Sequence, residues 1–93
     1  MRSMLLGEGA QPAKMKAIRG AIESTPGVKS IIHLRTQYLG PEELLVAAKV
    51  EFDRSYDTAA LAACVDSVEA NVREIAPHAK PMYIEPDLHR DYL

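Results

Sequence analysis

Three histidines, His33, His78 and His89, a single cysteine, Cys64, and the acidic closing stretch "EPDLHRD" are the side chains of this chain suited to holding a metal ion or acting on a substrate. No two histidines stand three or four residues apart, the helical spacing that reads most directly as a metal site. Cys64 alone cannot form an internal disulfide or a Cys-x-x-Cys pair, and its place on an apolar stripe predicts a small core residue. The donors left are imidazole and carboxylate: His33, Glu85, Asp87 and His89, with Asp91 nearby, a set that suits Zn2+ or another divalent cation. Dispersed along the chain, they predict weak binding. His78, in a connection rich in proline and alanine, is expected to be a solvated loop residue.

Other chemistries have no foothold. There is no Gly-x-Ser-x-Gly nucleophile turn and no glycine loop to cradle a phosphate, and Glu42 and Glu43 flank a turn where water solvates them. An enzyme is not expected. A net charge of −2 with one Phe and no Trp offers neither a cationic field nor a stacking platform for nucleic acid. The opening "MRSMLLGEGA" has too short an apolar run for a signal peptide or a membrane helix, so the chain reads as soluble.

The elements that must position these residues follow from periodicity. Met15, Ile18 and Ile22, at spacings of three and four behind Pro12, predict a helix over about 12–24 that Pro26 and Gly27 stop. Two alternating runs come next. Ile32, Leu34, Thr36 and Tyr38 share one face of the first, and Leu44, Val46, Ala48, Val50 and Phe52 share one face of the second. Pairing Tyr38 with Leu44 around Gly40 and Pro41 leaves a five-residue loop and sets Ile32 opposite Val50. His33 then looks outward with Lys49 opposite it, while a register two residues away would put Glu51 there. Lys49 would spoil a cation site at His33, whereas Glu51, the tail or a second subunit would complete one.

Leu61, Cys64, Val65, Val68, Val72 and Ile75 form one helical stripe behind Asp57, a suitable N-cap, and "KPMYIEP" is a short last strand. A strand, helix and strand in succession make a right-handed crossover, with the last strand parallel to the second. The expected fold is α+β, α-β-β-α-β, a three-stranded mixed sheet with two helices on one face. On the other face Ile31, Leu45 and Ala47 form an apolar strip beside His33 and Arg35. Water should not see such a strip on a monomer, and a second copy is its simplest cover.

The ordered set Pro26-Gly27-Val28, Leu34-Arg35-Thr36, Gly40-Pro41 and Glu85-Pro86, spread over residues 10–88, resembles the cytoplasmic C-terminal domain of cation diffusion facilitator transporters. The resemblance implies the same ferredoxin-like topology and a homodimer, for which the outward residues Ile31, His33, Arg35, Leu45 and Ala47 are the expected interface. It also implies attachment to a transmembrane domain that moves Zn2+ or a similar ion. Residues 1–9 would be a linker remnant after that missing domain, 10–88 the dimerisation domain, and 89–93 a tail. The chain would be a cytoplasmic, regulatory part of an integral membrane protein, with divalent metal ions rather than nucleic acid among its partners.

Many members of that family hold metal here through a histidine set. The matching positions carry Ile32, Lys49 or Ala48, Ala62 and Tyr83, while Glu85 keeps ligand chemistry and His33 stands where others have Asp. The resemblance is thus to the branch that dimerises without the full set, with little metal sensing of its own. Two other functions are weighed against this one. A stand-alone small-molecule-binding module could sit on the same scaffold, and a metallochaperone would need a thiol pair that is absent.

Overall fold

The computed structural model describes residues 8–87. Helix α1 spans Pro12–Glu23, strand β1 Val28–Gly40, strand β2 Glu43–Phe52, helix α2 Thr58–Ile75 and strand β3 Met82–Pro86. Pro12 opens α1, where its missing amide costs no helical bond. Past Ser24 the chain reverses through Gly27, whose φ of +98° suits a residue without a side chain. Asp57 caps α2 by accepting from the Ala60 amide at 2.8 Å.

The sheet order is β1-β2-β3. Strand β2 lies in the centre, antiparallel to β1 and parallel to β3, as the crossover requires. Tyr38 pairs with Leu44 and His33 with Lys49, so the Lys49 register is the one adopted. The turn is tighter than the expected loop, because Gly40 also pairs with Glu43 and Leu39 is accommodated as an irregularity.

A bulge changes the first half of β1. Ile31, not Ile32, pairs with Val50, and a second shift lies between Val28 and Ser30. Each extra residue turns the following side chains over. Strict alternation would have pointed Ser30 into the core, where its hydroxyl would lose water without a partner. With the bulges, Ser30 faces outward and donates to Glu51 Oε1 at 3.0 Å. Ile31 takes the inward place against the core. The expectation that Ile31 lies on the outer strip and Ile32 in the core is therefore reversed: Ile32 is the outward residue, 44% exposed.

Both helices cover the inward face. Ile18 and Ile22 of α1 and Cys64, Val68 and Val72 of α2 are buried against Leu44, Val46, Ala48, Val50 and Phe52 of β2. Thr25 ties the helices together, donating to the Ala21 carbonyl while accepting from Asn71 Nδ2 at 2.9 Å. Cys64 sits where the sequence predicts, with its thiol 3.3 Å from the Pro26 carbonyl, and burial pushes that thiol up from its ordinary pKa. Ile75 departs from the predicted stripe. It is exposed at the end of α2, and Ala76 and Ala79 are buried in its place, small enough for the chain to close over the sheet.

The Thr36–Tyr38 part of the outer edge of β1 is met by the segment before α1. The Tyr38 amide donates to the Glu8 carbonyl at 2.8 Å, and the Ala10 amide to Thr36 Oγ1 at 2.8 Å.

Candidate dimer and metal face

The uncovered face of the sheet carries the chemistry. Because the strands are in register, its side chains fall in rows across the sheet. Arg35, Ala47 and Tyr83 form one row, and His33, Lys49 and Glu85 form the next. These residues line a shallow depression of about 430 Å³. Leu45 lies beside Gln37 one step further along. Tyr83, 65% exposed, adds apolar surface.

Four of the five residues expected on this face are there: His33, Arg35, Leu45 and Ala47. Ile31 has gone to the core. Tyr83 was not recognised as part of the surface from sequence, although its alternation with the buried side of β3 and with Glu85 places it there.

The metal set is only partly assembled. His33 and Glu85 share the depression but stand two strands apart, about 10 Å between backbones at ordinary strand spacing. Lys49 stands between them and holds Asp87 in an ion pair at 3.5 Å. A cation already occupies the middle of the row, which disfavours a second. Among the described residues no group of three or more His, Cys, Asp and Glu comes together. His89 lies outside the described residues, as does Asp91. Glu51, the alternative helper, is engaged by Ser30 instead.

His78 is not the solvated loop residue expected. Its ring stacks on Tyr38, with centroids 6.0 Å apart and planes inclined by 17°, and its carbonyl accepts from the Leu44 and Lys80 amides. It pins the loop before β3 to the hairpin. No periodicity in the sequence signals a contact between a loop and a strand end.

The sequence over residues 10–87 matches the family model described as the cytoplasmic domain of cation efflux proteins, whose name marks a dimerisation domain. The chain belongs to this family. Its fold is shared with solved structures of variants of the MamM C-terminal domain. A nickel form is 21% identical with a TM-score of 0.76, covering 86% of this chain and 100% of that one. A cadmium form, also 21% identical with a TM-score of 0.76, covers 87% and 100%. A further variant reaches 24% identity with a TM-score of 0.74, over 84% of this chain and 93% of that one. No curated protein sequence matches this chain. As a cation efflux cytoplasmic domain, the molecule displays α-β-β-α-β topology with one sheet face bare, and no helix of the described residues is long and apolar enough to cross a membrane.

Proposed function

We propose that this domain holds two protomers of a divalent cation efflux transporter together through its bare sheet face, and that it regulates transport mainly by that coupling. The observation that supports this is the one-sidedness of the sheet. Two helices bury one face, while Leu45, Ala47 and Tyr83 leave an apolar strip on the other, flanked by His33 and Arg35. A surface of that kind marks a site of association. In this reading residues 10–88 form the dimerisation unit. Residues 1–9 link it to a transmembrane domain, and 89–93 are a tail.

Zn2+ or a similar divalent cation is the ion we assign to the transporter, as the resemblance to the cation efflux family implies. Metal binding by the domain itself is weak or absent, because Lys49 sits within the set, and any that occurs draws on His33, Glu85, Asp87 and His89. Sedimentation equilibrium with and without Zn2+ tests the reading. Self-association in both conditions, with a small gain from the metal, is expected. A strict monomer in both would overturn it.

A further inference from the structure

A cavity of about 220 Å³ opens at the carboxyl ends of the parallel strands β2 and β3, beside the first turns of α2. Phe52, Tyr56, Leu61 and Pro86 give it an apolar wall. Phe52 is buried and the other three are half-buried, so this wall belongs to the packed domain. Charges of both signs line it as well: the Arg54 guanidinium and the carboxylates of Asp53 and Asp87. We infer that the cavity binds a small zwitterion with a hydrocarbon side chain, a free α-amino acid of about leucine's size. Arg54 takes its carboxylate, Asp87 its ammonium, and the apolar wall its side chain. This inference goes beyond the dimer reading and does not rest on it.

The charges decide the class of ligand. Asp53 Oδ1 accepts from the Ser55 amide at 2.9 Å and from the Ser55 hydroxyl at 2.7 Å. Those bonds hold its carboxyl below the usual carboxylate range, so it stays ionised. Asp87 meets Lys49 Nζ through Oδ1 at 3.5 Å, and its backbone amide donates to the Val50 carbonyl at 2.8 Å, which fixes its place just past β3. A carboxylate accepts at about four sites, so this one long ion pair leaves Asp87 able to receive an ammonium. Arg54 is exposed and has no ion pair or hydrogen bond among the described residues. A simple anion on Arg54 would meet two carboxylates, and a simple cation on those carboxylates would meet a guanidinium. A molecule that carries both charges satisfies both.

The wall sets the size. A dry cavity of about 150 Å³ takes up benzene, and in proportion 220 Å³ accommodates about nine non-hydrogen atoms, as many as leucine or isoleucine has. The wall is also formed in advance of any ligand. The Tyr56 ring lies so close to Gly27 that a Cβ there would come within 2.6 Å of it, and the Asp53 amide donates to the Gly27 carbonyl at 2.8 Å.

Titrating the isotope-labelled domain with leucine, while following its amide resonances by NMR, tests this. The amides of Arg54, Tyr56, Leu61 and Asp87 should shift and saturate with a Kd on the order of 1 mM, as suits so small a ligand in an open site. Isocaproate, which lacks the amine, and isoamylamine, which lacks the carboxylate, should each bind about tenfold more weakly or worse. Arg54→Gln and Asp87→Asn change side chains outside the core, so each variant should fold, which far-UV circular dichroism checks. Both should weaken leucine binding about tenfold, while Arg54→Gln should leave the affinity for isoamylamine no lower. The absence of a saturable shift at these amides with leucine, equal binding of the three probes, or leucine binding unchanged in both variants would overturn the inference. None of these results bears on self-association, so the dimer reading stands or falls separately.

Discussion

Replacing Lys49 with Gln should strengthen Zn2+ binding. The side chain becomes one atom shorter, stays polar and loses its charge, so the change acts chiefly on electrostatics. In the row His33, Lys49, Glu85, each backbone lies one strand spacing from the next, about 4.8 Å. An ion drawn in by His33 or Glu85 would therefore sit about 5 Å from the ammonium. At that separation a unit charge repels a divalent ion by about 1.7 kcal/mol even in the dielectric of water, roughly fifteenfold in affinity. The substitution also frees the Asp87 carboxylate, now 3.5 Å from Lys49 Nζ. Both effects act in the same direction. The pair is well solvated, with side chains 38% and 32% exposed, so its loss should change folding stability by less than about 1 kcal/mol. Isothermal titration with Zn2+ should rank Lys49→Gln above the native chain and Asp87→Asn below it. Equal or weaker binding by Lys49→Gln would refute the idea that this lysine is what spoils the site.

Two further outcomes concern the fold that carries the face. Gly27→Ala would place a methyl group 2.6 Å from the Tyr56 ring at a φ of +98°. Left-handed strain of about 1–2 kcal/mol should combine with overpacking of about 1–3 kcal/mol, and urea denaturation of the single variant and of Gly27→Ala with Tyr56→Ala should show the second part relieved. Cys64, 6% exposed and with its thiol pKa raised by burial, should resist thiol reagents in the native state and react once denaturant opens the core.

Where local patterns carry the information, the sequence was sufficient. Pro12 and Gly27 bound α1, Asp57 caps α2, and the pairing of Tyr38 with Leu44 follows from alternation and the Gly40-Pro41 turn. The outward direction of His33, Arg35, Leu45 and Ala47 was legible for the same reason. What escaped depends on the third dimension. In "KSIIHL" either isoleucine can fill the pocket facing Val50, and the choice of Ile31 came from the cost of burying Ser30, a comparison that alternation does not make. Ile75 and Ala76 compete similarly at the end of α2, where the shape of the closing turn favours the smaller side chain. The stacking of His78 on Tyr38 joins segments forty residues apart in the chain. The match of His33 with Lys49 was one of two allowed registers, and it sets a cation rather than a carboxylate beside the imidazole.

The segment at Glu8–Ala10 has a consequence for how copies of this molecule can meet. It fastens along one rim of the sheet through the Tyr38 amide and Thr36 Oγ1. The opposite rim is a strand of five residues preceded by Pro81 and ended by Pro86, two positions without an amide proton. The remainder of the β1 rim is broken by two bulges, so neither rim offers a long regular ladder for strand addition, the usual route by which open sheets grow into fibres. Growth sideways is hindered, which favours encounter through the broad side.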